Sequence, residues 1–494
     1  MALRNMPEVK MGIVAVSRDC FPKELSEKRL RNVIAECGKQ QVAVVPCSVI
    51  VESEVDAMKA VAEMRGKGIN AVTVYLGNFG PEGPITIFAR EMGLPFMLCA
   101  AAEETCKDLI GGRGDAYCGM LSACLNAGLR SVKPYLPHYP IGTPDKIAKM
   151  ISEFNDVARV VIGVRNLKVI SFGPRPNDFF ACDAPLKPLY DLGVEVMENS
   201  EMDLQLHFKS LAGRTKEIDA IAADMARELG AGNKHPDKLK ELAQFELALM
   251  EFYEKNLGAR KHAVFANKCW PGFEPGFGFV PCYVNSRMAM RGIPVACEVD
   301  IYGAISEYIC QTAVSEVATL LDINNSVPDD LPIKNLMGAA REDLFMGFHC
   351  GNTASCTLCA GCSMKYQLIM ARLMEPGKTP NITVGTLEGT LRPGPLTIFR
   401  LQASPTGAIR SFVADGNVID ADPASFGAIG IVGIKDFGRF YRYCLLGKMF
   451  PHHAAFTFKH AGKVIFDAMK LMGVEVSTPL PAGMPYPDEN PFLG

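Results

Sequence analysis

Short apolar segments alternate with amphipathic stretches along the first two thirds of the chain, and this rhythm limits the possible folds. MGIVAV (11–16), NAVTVYL (70–76) and PFMLCA (95–100) have the length and composition of buried strands, and helical patterns lie between them. Strands that alternate with helices form a parallel sheet that is covered on both faces. The pattern therefore predicts an α/β fold.

A second block of the same kind begins at LKVISFG (167–173). After about residue 380, short and turn-rich alternating segments indicate antiparallel β structure. A chain of 494 residues is too long for one hydrophobic core. We predict two parallel-sheet, Rossmann- or flavodoxin-like α/β domains at residues 1–165 and 166–345, followed by a mainly β C-terminal domain at residues 346–494.

Composition and charge exclude several classes of protein. The 51 basic and 54 acidic residues give a net charge of −3, so the chain has no excess of positive charge that would favour binding to nucleic acid or an anionic membrane. The chain has no apolar run long enough to span a bilayer, and only a short apolar stretch lies near residue 11, so we expect neither a membrane span nor a secretory leader. Its 17 cysteines, an odd number in a long core-forming chain, argue against a disulfide framework. We expect a cytoplasmic protein that binds neither nucleic acid nor membranes.

Two acids follow consecutive predicted strands. GIPVACE ends at Glu298, a predicted helix follows, and VATLLD ends at Asp322. If the two strands are parallel neighbours, their ends lie about 5 Å apart at the sheet edge where α/β proteins bind ligands. Two carboxylates that close repel each other, so one takes a proton or both share a cation such as Mn²⁺ or Mg²⁺. A helix cap or a surface ion pair is the alternative interpretation.

Histidine supplies nitrogen ligands and can transfer protons. Three of the eight histidines, His452, His453 and His460, lie in FPHHAAFTFKHAG. A surface pair followed by a histidine at a helix start is the alternative for this segment. His349 lies in the small-residue loop GFHCGNTAS, and such loops can present backbone N–H groups and hydroxyls to a polar ligand.

Four cysteines have the spacing C-x5-C-x2-C-x2-C, namely Cys350, Cys356, Cys359 and Cys362. Thiolates at such intervals can bind zinc or an iron–sulfur cluster, so a second metal site is one interpretation. The segment is also rich in small residues, its first gap is atypical of ferredoxin runs, and no proline follows the last cysteine. Buried thiols that pack as small apolar side chains are the alternative.

Several segments, taken in order, resemble the L-fucose isomerase / L-arabinose isomerase superfamily, particularly its fucose isomerase-like members. The resemblance spans nearly the whole chain and is clearest from about 260 to 475. The segments that carry it are NKCWP (267–271), ACEVDIYGA (296–304), LLDIN (320–324), FHCGN (348–352), GTLRPGPLTIFRL (389–401), GAIRSFVADG (407–416) and FPHHAAFTFKHAG (450–462).

The resemblance implies a metal-dependent aldose–ketose isomerase. It implies Mn²⁺, or Mg²⁺ or Co²⁺ in its place, held by Glu298, Asp322 and His453, with the adjacent His452 open as an alternative ligand. It also implies a homo-oligomer, hexameric or trimer-based, with the active site near a subunit boundary. In such a reaction, negative charge builds on oxygen in an enediol-like intermediate, and a divalent ion stabilises that charge. We assign Glu298 and Asp322 as the ligand and acid/base pair.

Substrate-binding residues follow from the same resemblance and from their positions after predicted strands. They are Arg18, Asn267, Lys268, Trp270, His349 and Asn352. Trp270, the only tryptophan, could stack on the sugar or pack in the core. Arg18 would suit an anionic group on the substrate. The sugar is left open among fucose, arabinose, another deoxy sugar and an acidic hexose derivative.

Two other functions stay open from the sequence. One is a cysteine-ligated zinc or iron–sulfur protein, in which the cysteine cluster is the functional centre. The other is a non-catalytic sugar-binding protein, because stacked α/β domains also build binding proteins.

Overall fold

The computed structural model describes residues 3–369 and 382–490, and the chain forms two compact units. The smaller unit comprises Pro7–Ile162 and Leu471–Gly473. The larger unit comprises Gly163–Lys470 together with the described residues before Pro7 and from Val474 onwards. None of the helices in the described part of the chain is long and apolar enough to cross a membrane.

The smaller unit is built on a five-stranded parallel sheet. Its strands are β1 (Met11–Val16), β2 (Val45–Pro46), β3 (Ala71–Leu76), β4 (Phe96–Ala101) and β5 (Ile141–Gly142), in the order β2-β1-β3-β4-β5. Its helices are α1 (Lys23–Lys39), α2 (Glu54–Gly66), α3 (Glu82–Met92), α4 (Asp108–Gly111), α5 (Ala116–Leu129) and α6 (Pro144–Arg165), the last of which leads into the larger unit. Every residue of β1, β3 and β4 is buried, as expected for a sheet covered on both faces.

The larger unit contains a second parallel sheet, of four strands. They are β6 (Leu167–Phe172), β7 (Glu195–Asn199), β8 (His262–Ala266) and β9 (Val295–Ala296), in the order β7-β6-β8-β9. The helices in this stretch are α7 (Lys187–Asp191), α8 (Glu201–Ser210), α9 (Thr215–Leu229), α10 (Leu239–Asn256), α11 (Phe273–Phe277), α12 (Cys282–Met290) and α13 (Ile301–Val314). The two parallel sheets confirm the α/β prediction.

The same unit also contains a mixed, mainly antiparallel sheet of nine strands. They are β10 (Ala318–Ser326), β11 (Leu344–His349), β12 (Ser363–Tyr366), β13 (Val384–Thr390), β14 (Gly394–Ala403), β15 (Ile409–Ile419), β16 (Ala428–Gly433), β17 (His453–Thr457) and β18 (Glu475–Ser477). Their order is β12-β13-β16-β11-β10-β17-β14-β15-β18. Two short helices complete the chain, α14 (Phe437–Phe440) and α15 (Gly462–Leu471). This sheet confirms the prediction of mainly β structure in the C-terminal region.

Helix α13 lies between the two sheets of the larger unit. It contacts β8 and β9 of the four-stranded sheet and β10, β14 and β17 of the nine-stranded sheet. Thirteen of its 14 residues are buried, in keeping with a sequence that is mostly apolar and has no exposed polar face. The start of this helix therefore stands where the edges of both sheets meet.

One structural prediction was wrong. The strands before Glu298 and at Asp322 were expected to be parallel neighbours, but β9 belongs to the four-stranded sheet and β10 to the nine-stranded sheet. The physical reason is that α13 packs between the two sheets. The strand that follows this helix, β10, therefore joins the nine-stranded sheet, where it pairs antiparallel with β11 and β17. The two acids nevertheless meet, by the route described below.

Candidate functional site

The turn after β9 aims Glu298 away from its own sheet. Glu298 and Val299 have φ angles of 59° and 57°, in the left-handed region that non-glycine residues seldom adopt. The Val299 N–H donates to the carbonyl of Asn267 at 2.8 Å, which ties this turn to the end of β8. Such strained residues persist only where surrounding contacts hold them, and they cluster at functional sites.

Asp322 and His453 are brought together by strand pairing. They are direct partners across the antiparallel pair of β10 and β17, so their side chains lie on one face of the sheet. His453 Nε2 lies 3.3 Å from Asp322 Oδ1 and 3.3 Å from Glu298 Oε2. Residues from two sheets thus meet at one point.

Three atoms at this point have no hydrogen-bond partner although they are buried. They are Glu298 Oε2, Asp322 Oδ1 and His453 Nε2. Buried polar atoms almost always have a hydrogen-bond partner, so three neighbouring atoms without one need an explanation. Two carboxylate oxygens and one imidazole nitrogen are a donor set that suits a divalent cation such as Mn²⁺. The residues present therefore fit the ion that the family resemblance implies.

The electrostatics of the cluster also favour added positive charge. Burial alone would lower the pKa of His453, but its contacts with Asp300, Asp322 and Glu298 outweigh burial and raise that pKa well above the usual value. Burial would raise the pKa of Asp322, but His453 and the other nearby histidines hold it below the usual value. The carboxylates thus stabilise a positive charge at the point where the side chains meet.

His453 is oriented by a residue to which the sequence pattern did not point. Its Nδ1 lies 2.8 Å from Asp300 Oδ2, and Asp300 is paired with the fully buried Arg400 of β14. Burial would raise the pKa of Asp300, but the charges of Arg400 and His453 hold it below the usual value. A lone arginine inside the apolar segment TIFRL was the one sequence signal for this pair, since a buried cation requires a partner.

His452 lies farther from the acids than His453. Its Nε2 is 3.9 Å from Asp322 Oδ1, and 40% of its side chain is exposed, compared with 1% for His453. Three groups of possible metal ligands occur among the described residues, and His453 belongs to every one. Glu298 falls in one group with His452, and Asp322 falls in another with His349. One of these groups places His349, at the end of β11, within 4.8 Å of Asp322 and His453.

His349 and Asn352 lie in the buried loop that follows β11. The backbone N–H of Cys350 donates to His349 Nδ1 at 2.8 Å. Asn352 is 4% exposed, and its Oδ1 has no hydrogen-bond partner. Asn352 therefore keeps a buried polar atom that the protein itself does not use.

Two of the residues predicted to bind substrate, Asn267 and Lys268, follow β8 directly. Asn267 forms a reciprocal pair of amide hydrogen bonds with Asn285, at 3.0 and 3.1 Å. Lys268 donates to the carbonyl of Pro174 at 2.9 Å and lies 3.2 Å from a carboxylate oxygen of Glu201. Each of these side chains is thus committed to protein partners.

Trp270 is half-buried and belongs to an aromatic row. Its ring lies edge-on to Phe179 at 5.9 Å, and Phe179 is in turn edge-on to His452 at 6.0 Å. Trp270 also packs against a small buried cluster that includes Cys269 and Cys282. Trp270 therefore takes part in core packing, and stacking of its ring on the sugar stays a prediction.

Arg18 belongs to the smaller unit, in the loop after β1. Its backbone N–H is held by the side chain of Asn78, which follows β3, at 3.0 Å. Its guanidinium lies 4.9 Å above the ring of Phe79 and 3.4 Å from Glu82, and 40% of its side chain is exposed. The predicted position at the carboxyl edge of the first sheet is thus observed.

The spaced cysteines do not assemble into a metal centre in the described part of the chain. Cys356 is exposed, Cys359 and Cys362 are half-buried, and Cys359 donates weakly to the carbonyl of Leu391 at 3.7 Å. None of the possible ligand groups among the described residues includes them or Cys350. All 17 cysteines are free thiols.

Comparisons with known proteins show which family the chain is similar to. The family model for the fucose/sulfoquinovose isomerase N-terminal domain matches residues 12–165, and that for the L-fucose isomerase C-terminal domain matches residues 347–478. The sulfoquinovose isomerase of Priestia aryabhattai is 24% identical over 344 residues, which cover 68% of this chain and 70% of that protein. The sulfoquinovose isomerase of Alkalicoccus urumqiensis is 25% identical over 341 residues, with the same coverage.

Among solved structures, a periplasmic solute-binding protein from Actinobacillus succinogenes with bound D-allose covers 62% of this chain and 93% of its own. It is 10% identical with a TM-score of 0.17, and so weak a likeness carries no argument for a sugar-binding function. The two domain matches, together with relatives matched over 70% of their own length, are the informative findings. The chain belongs to the fucose isomerase-like family of sugar isomerases.

Proposed function

We propose that this protein is a metal-dependent aldose–ketose isomerase. The observation that carries the proposal is the meeting of three unpartnered buried atoms, Glu298 Oε2, Asp322 Oδ1 and His453 Nε2, in a member of a sugar isomerase family. A structural metal site would have a closed set of four protein ligands. Three protein ligands leave positions open for substrate oxygens, so the arrangement favours a catalytic site.

The proposed ligands are Glu298, Asp322 and His453, and the proposed ion is Mn²⁺, with Mg²⁺ or Co²⁺ as alternatives. When bound, the ion supplies a Lewis acid that stabilises negative charge on the sugar oxygens. His453 is preferred to His452 because its Nε2 is closer to both acids and its ring is fully buried. Burial of the ring keeps its position fixed, as a metal ligand requires.

The two carboxylates can carry the proton transfers. In the forward direction, one takes the proton from C2 of the aldose, the C–H electron pair forms the C1–C2 double bond, and O1 takes the proton that O2 gives up. Return of the carbon-derived proton to C1, as the C2–O2 bond becomes a carbonyl, gives the ketose. Glu298 and Asp322 each lie 3.3 Å from His453 Nε2, so one can hold the site while the other exchanges the proton.

His349 is proposed as a hydrogen-bond donor to a sugar oxygen. Its Nδ1 accepts the backbone N–H of Cys350, so a neutral His349 carries its proton on Nε2. A nitrogen that carries a proton cannot bind a metal, and it can donate to an oxygen that becomes more negative during the reaction. Asn352, with its unpartnered Oδ1, is proposed as the neighbouring acceptor for a sugar hydroxyl.

The proposed substrate class is a hexose with an anionic group, and a sulfonated hexose is the first candidate. The support is the similarity to sulfoquinovose isomerases from several bacteria. Arg18 is the proposed partner of that group, acting on the sugar of a neighbouring protomer in a homo-oligomer. Replacement of Arg18 by Ala should raise the KM for an anionic sugar at least 10-fold and leave that for a neutral sugar unchanged. An unchanged KM for the anionic sugar would show that Arg18 does not bind the substrate.

The function is tested with a panel of aldoses that includes sulfoquinovose, L-fucose and L-arabinose. Ketose formation is measured for the protein as purified, after treatment with EDTA, and after addition of Mn²⁺. We expect activity on at least one aldose, its loss with EDTA and its recovery with Mn²⁺. Ketose formation that is unaffected by EDTA would disprove metal dependence, and the absence of turnover with every aldose would disprove the isomerase.

A further inference from the structure

A row of buried charged side chains lies behind His453, on the side away from Glu298 and Asp322. Asp300 is 1% exposed, and Arg400 is fully buried. Arg400 forms two hydrogen bonds with Asp300, one to each carboxylate oxygen, and the bond from its Nη2 to Oδ1 is 3.0 Å. Gln402 Oε1 accepts from Nε and Nη2 of Arg400 at 3.1 and 2.6 Å. We call Asp300, Arg400 and Gln402 the supporting row.

The acceptor sites of Asp300 are all used. Its Oδ1 accepts the backbone N–H of Gly303 at 2.8 Å, which caps the first turn of α13, and it also accepts from Arg400. Its Oδ2 is shared between Arg400 and His453 Nδ1, with the latter at 2.8 Å. A carboxylate in a two-bond pair with arginine is ionised and can only accept hydrogen bonds. His453 Nδ1 must therefore carry a proton and donate it to Asp300.

This arrangement determines which nitrogen of His453 can bind a cation. When Nδ1 carries the proton of a neutral imidazole, the lone pair is on Nε2. Nε2 is the atom that faces Glu298 and Asp322 at 3.3 Å from each. A carboxylate that accepts from the far nitrogen of a histidine ligand also fixes the ring orientation and raises the basicity of the ligand.

We propose that Asp300 and Arg400 are positioning residues that hold His453 in the tautomer and orientation of a metal ligand. This inference rests on the proposed function, because it assigns a role toward the same cation. Neither residue contacts the point where Glu298, Asp322 and His453 meet. They act through His453 alone, and Gln402 fixes the plane of the Arg400 guanidinium.

Stability alone is a weak explanation for the supporting row. Two buried charges lose much of their hydration energy, and apolar residues of similar volume often stabilise a core equally well. The N-terminal cap of α13 would require only a short polar side chain such as serine. The supporting row instead connects the start of α13, the middle of β14 and the first residue of β17, which are the elements that must be in register for His453 to face the acids.

The test measures Mn²⁺ binding to metal-stripped protein by isothermal titration calorimetry. In Asp300→Asn the side chain keeps its shape and its helix cap, but its amide can donate to His453 Nδ1 and thereby move the proton to Nε2. We expect Mn²⁺ affinity to fall about 10- to 100-fold relative to the wild-type protein. Asp191→Asn, in an exposed ion pair with Lys187 on α7, is the matched control and should bind as the wild type does.

Asp300→Asn leaves Arg400 without its anion and could unfold the protein for that reason alone. The double variant Asp300→Asn/Arg400→Met removes both charges, so it should recover the thermal midpoint of the wild type while Mn²⁺ affinity stays low. Visible absorption of bound Co²⁺ provides a readout of coordination. Spectra of the folded variants should resemble that of His453→Ala and differ from that of the wild type.

Two results would overturn the inference in distinguishable ways. If the wild-type protein binds Mn²⁺ and a folded variant of Asp300 binds it equally tightly with an unchanged Co²⁺ spectrum, the positioning role is wrong and the proposed function stands. If the wild-type protein binds neither ion, the proposed function itself fails, and the role of the supporting row fails with it.

Discussion

At the scale of single residues, the proposed metal site consists of three buried atoms that have no hydrogen-bond partner within the protein. Glu298 and Asp322 could be selected from the sequence because each acid follows an apolar segment, and the family resemblance added His453. Asp300 and Arg400 could not be selected in this way, because their pairing joins positions 100 residues apart in the chain. Local patterns carry no information about such long-range contacts.

Replacement of Asp322 by Asn should abolish most of the activity and preserve the fold. The neutral amide removes one charge from a crowded group of acids but can neither bind the cation equally well nor accept the proton. We expect kcat/KM to fall by about 10²- to 10⁴-fold in a steady-state ketose assay. Asp329→Asn, at a fully exposed position, is the control. Equal activity of the Asp322 variant and the control would exclude Asp322 from catalysis.

Glu274 in α11 makes stability depend on pH. Its side chain is 4% exposed, and burial together with the charges of Cys269 and Glu201 raises its pKa from 4.5 to about 7. The folded state therefore binds this proton more tightly than the unfolded chain does. The stabilisation is complete below pH 4.5 and is lost as the pH rises through 7, and it is worth about 3 kcal/mol.

Replacement of Glu274 by Gln should remove this dependence, because Gln stays neutral at every pH. Thermal unfolding measured at about pH 5 and about pH 8 should show the variant gaining stability over the wild type only at the higher pH. Glu254→Gln, at an exposed helical position of α10, is the control for general charge effects. A difference between variant and wild type that is the same at both pH values would contradict the prediction.

At the scale of elements, most of the strands and helices could be predicted because buried strands and amphipathic helices have clear periodicities. The choice of sheet could not be predicted for β10, since an apolar segment is equally suited to a parallel and an antiparallel partner. The packing of α13 between the two sheets decided that choice. The acids still meet because the left-handed turn at Glu298 and the pairing of Asp322 with His453 direct both toward one point.

Gly351 lies in the loop that follows His349, the last residue of β11, and its substitution tests whether the loop must pack closely against β13. Its φ angle is +137°, and an added Cβ would lie 2.6 Å from the backbone nitrogen of Leu387. Gly351→Ala should therefore push the loop away from β13, lower stability by about 2 kcal/mol and reduce kcat. Gly213→Ala, where an added Cβ meets no atom within 4 Å, is the control in thermal unfolding and activity assays. A Gly351 variant as stable and active as this control would show that the loop does not need the close approach.

At the scale of the whole molecule, helix α5 of the smaller unit presents an apolar stripe. Tyr117, Leu121, Leu125 and Leu129 recur every fourth residue and are 62–74% exposed. The helix contains no charged residue, so its apolar stripe suits contact with another uncharged surface. In the proposed homo-oligomer, the α5 helix of a second copy would be such a surface, if the two copies meet about a two-fold axis. This face is our proposal for one contact between subunits.

Light scattering coupled to size exclusion tests that contact. The wild-type protein should have a multiple of the chain mass, and Leu121→Asp combined with Leu125→Asp should lower the mass, because two carboxylates would be buried in an uncharged interface. Met337→Asp, an exposed apolar position in the larger unit, is the control. A monomeric wild-type protein, or a double variant with unchanged mass, would contradict the proposal.

The proposed site requires one divalent cation that is held jointly by Glu298, Asp322 and His453. Diffraction from crystals soaked in Mn²⁺, recorded at a wavelength where manganese scatters anomalously, locates the ion without any assumption about activity. We expect one strong anomalous peak per chain, within about 2.0–2.3 Å of Glu298 Oε2, Asp322 Oδ1 and His453 Nε2. A peak elsewhere with none at this point would contradict a cation held by these three residues.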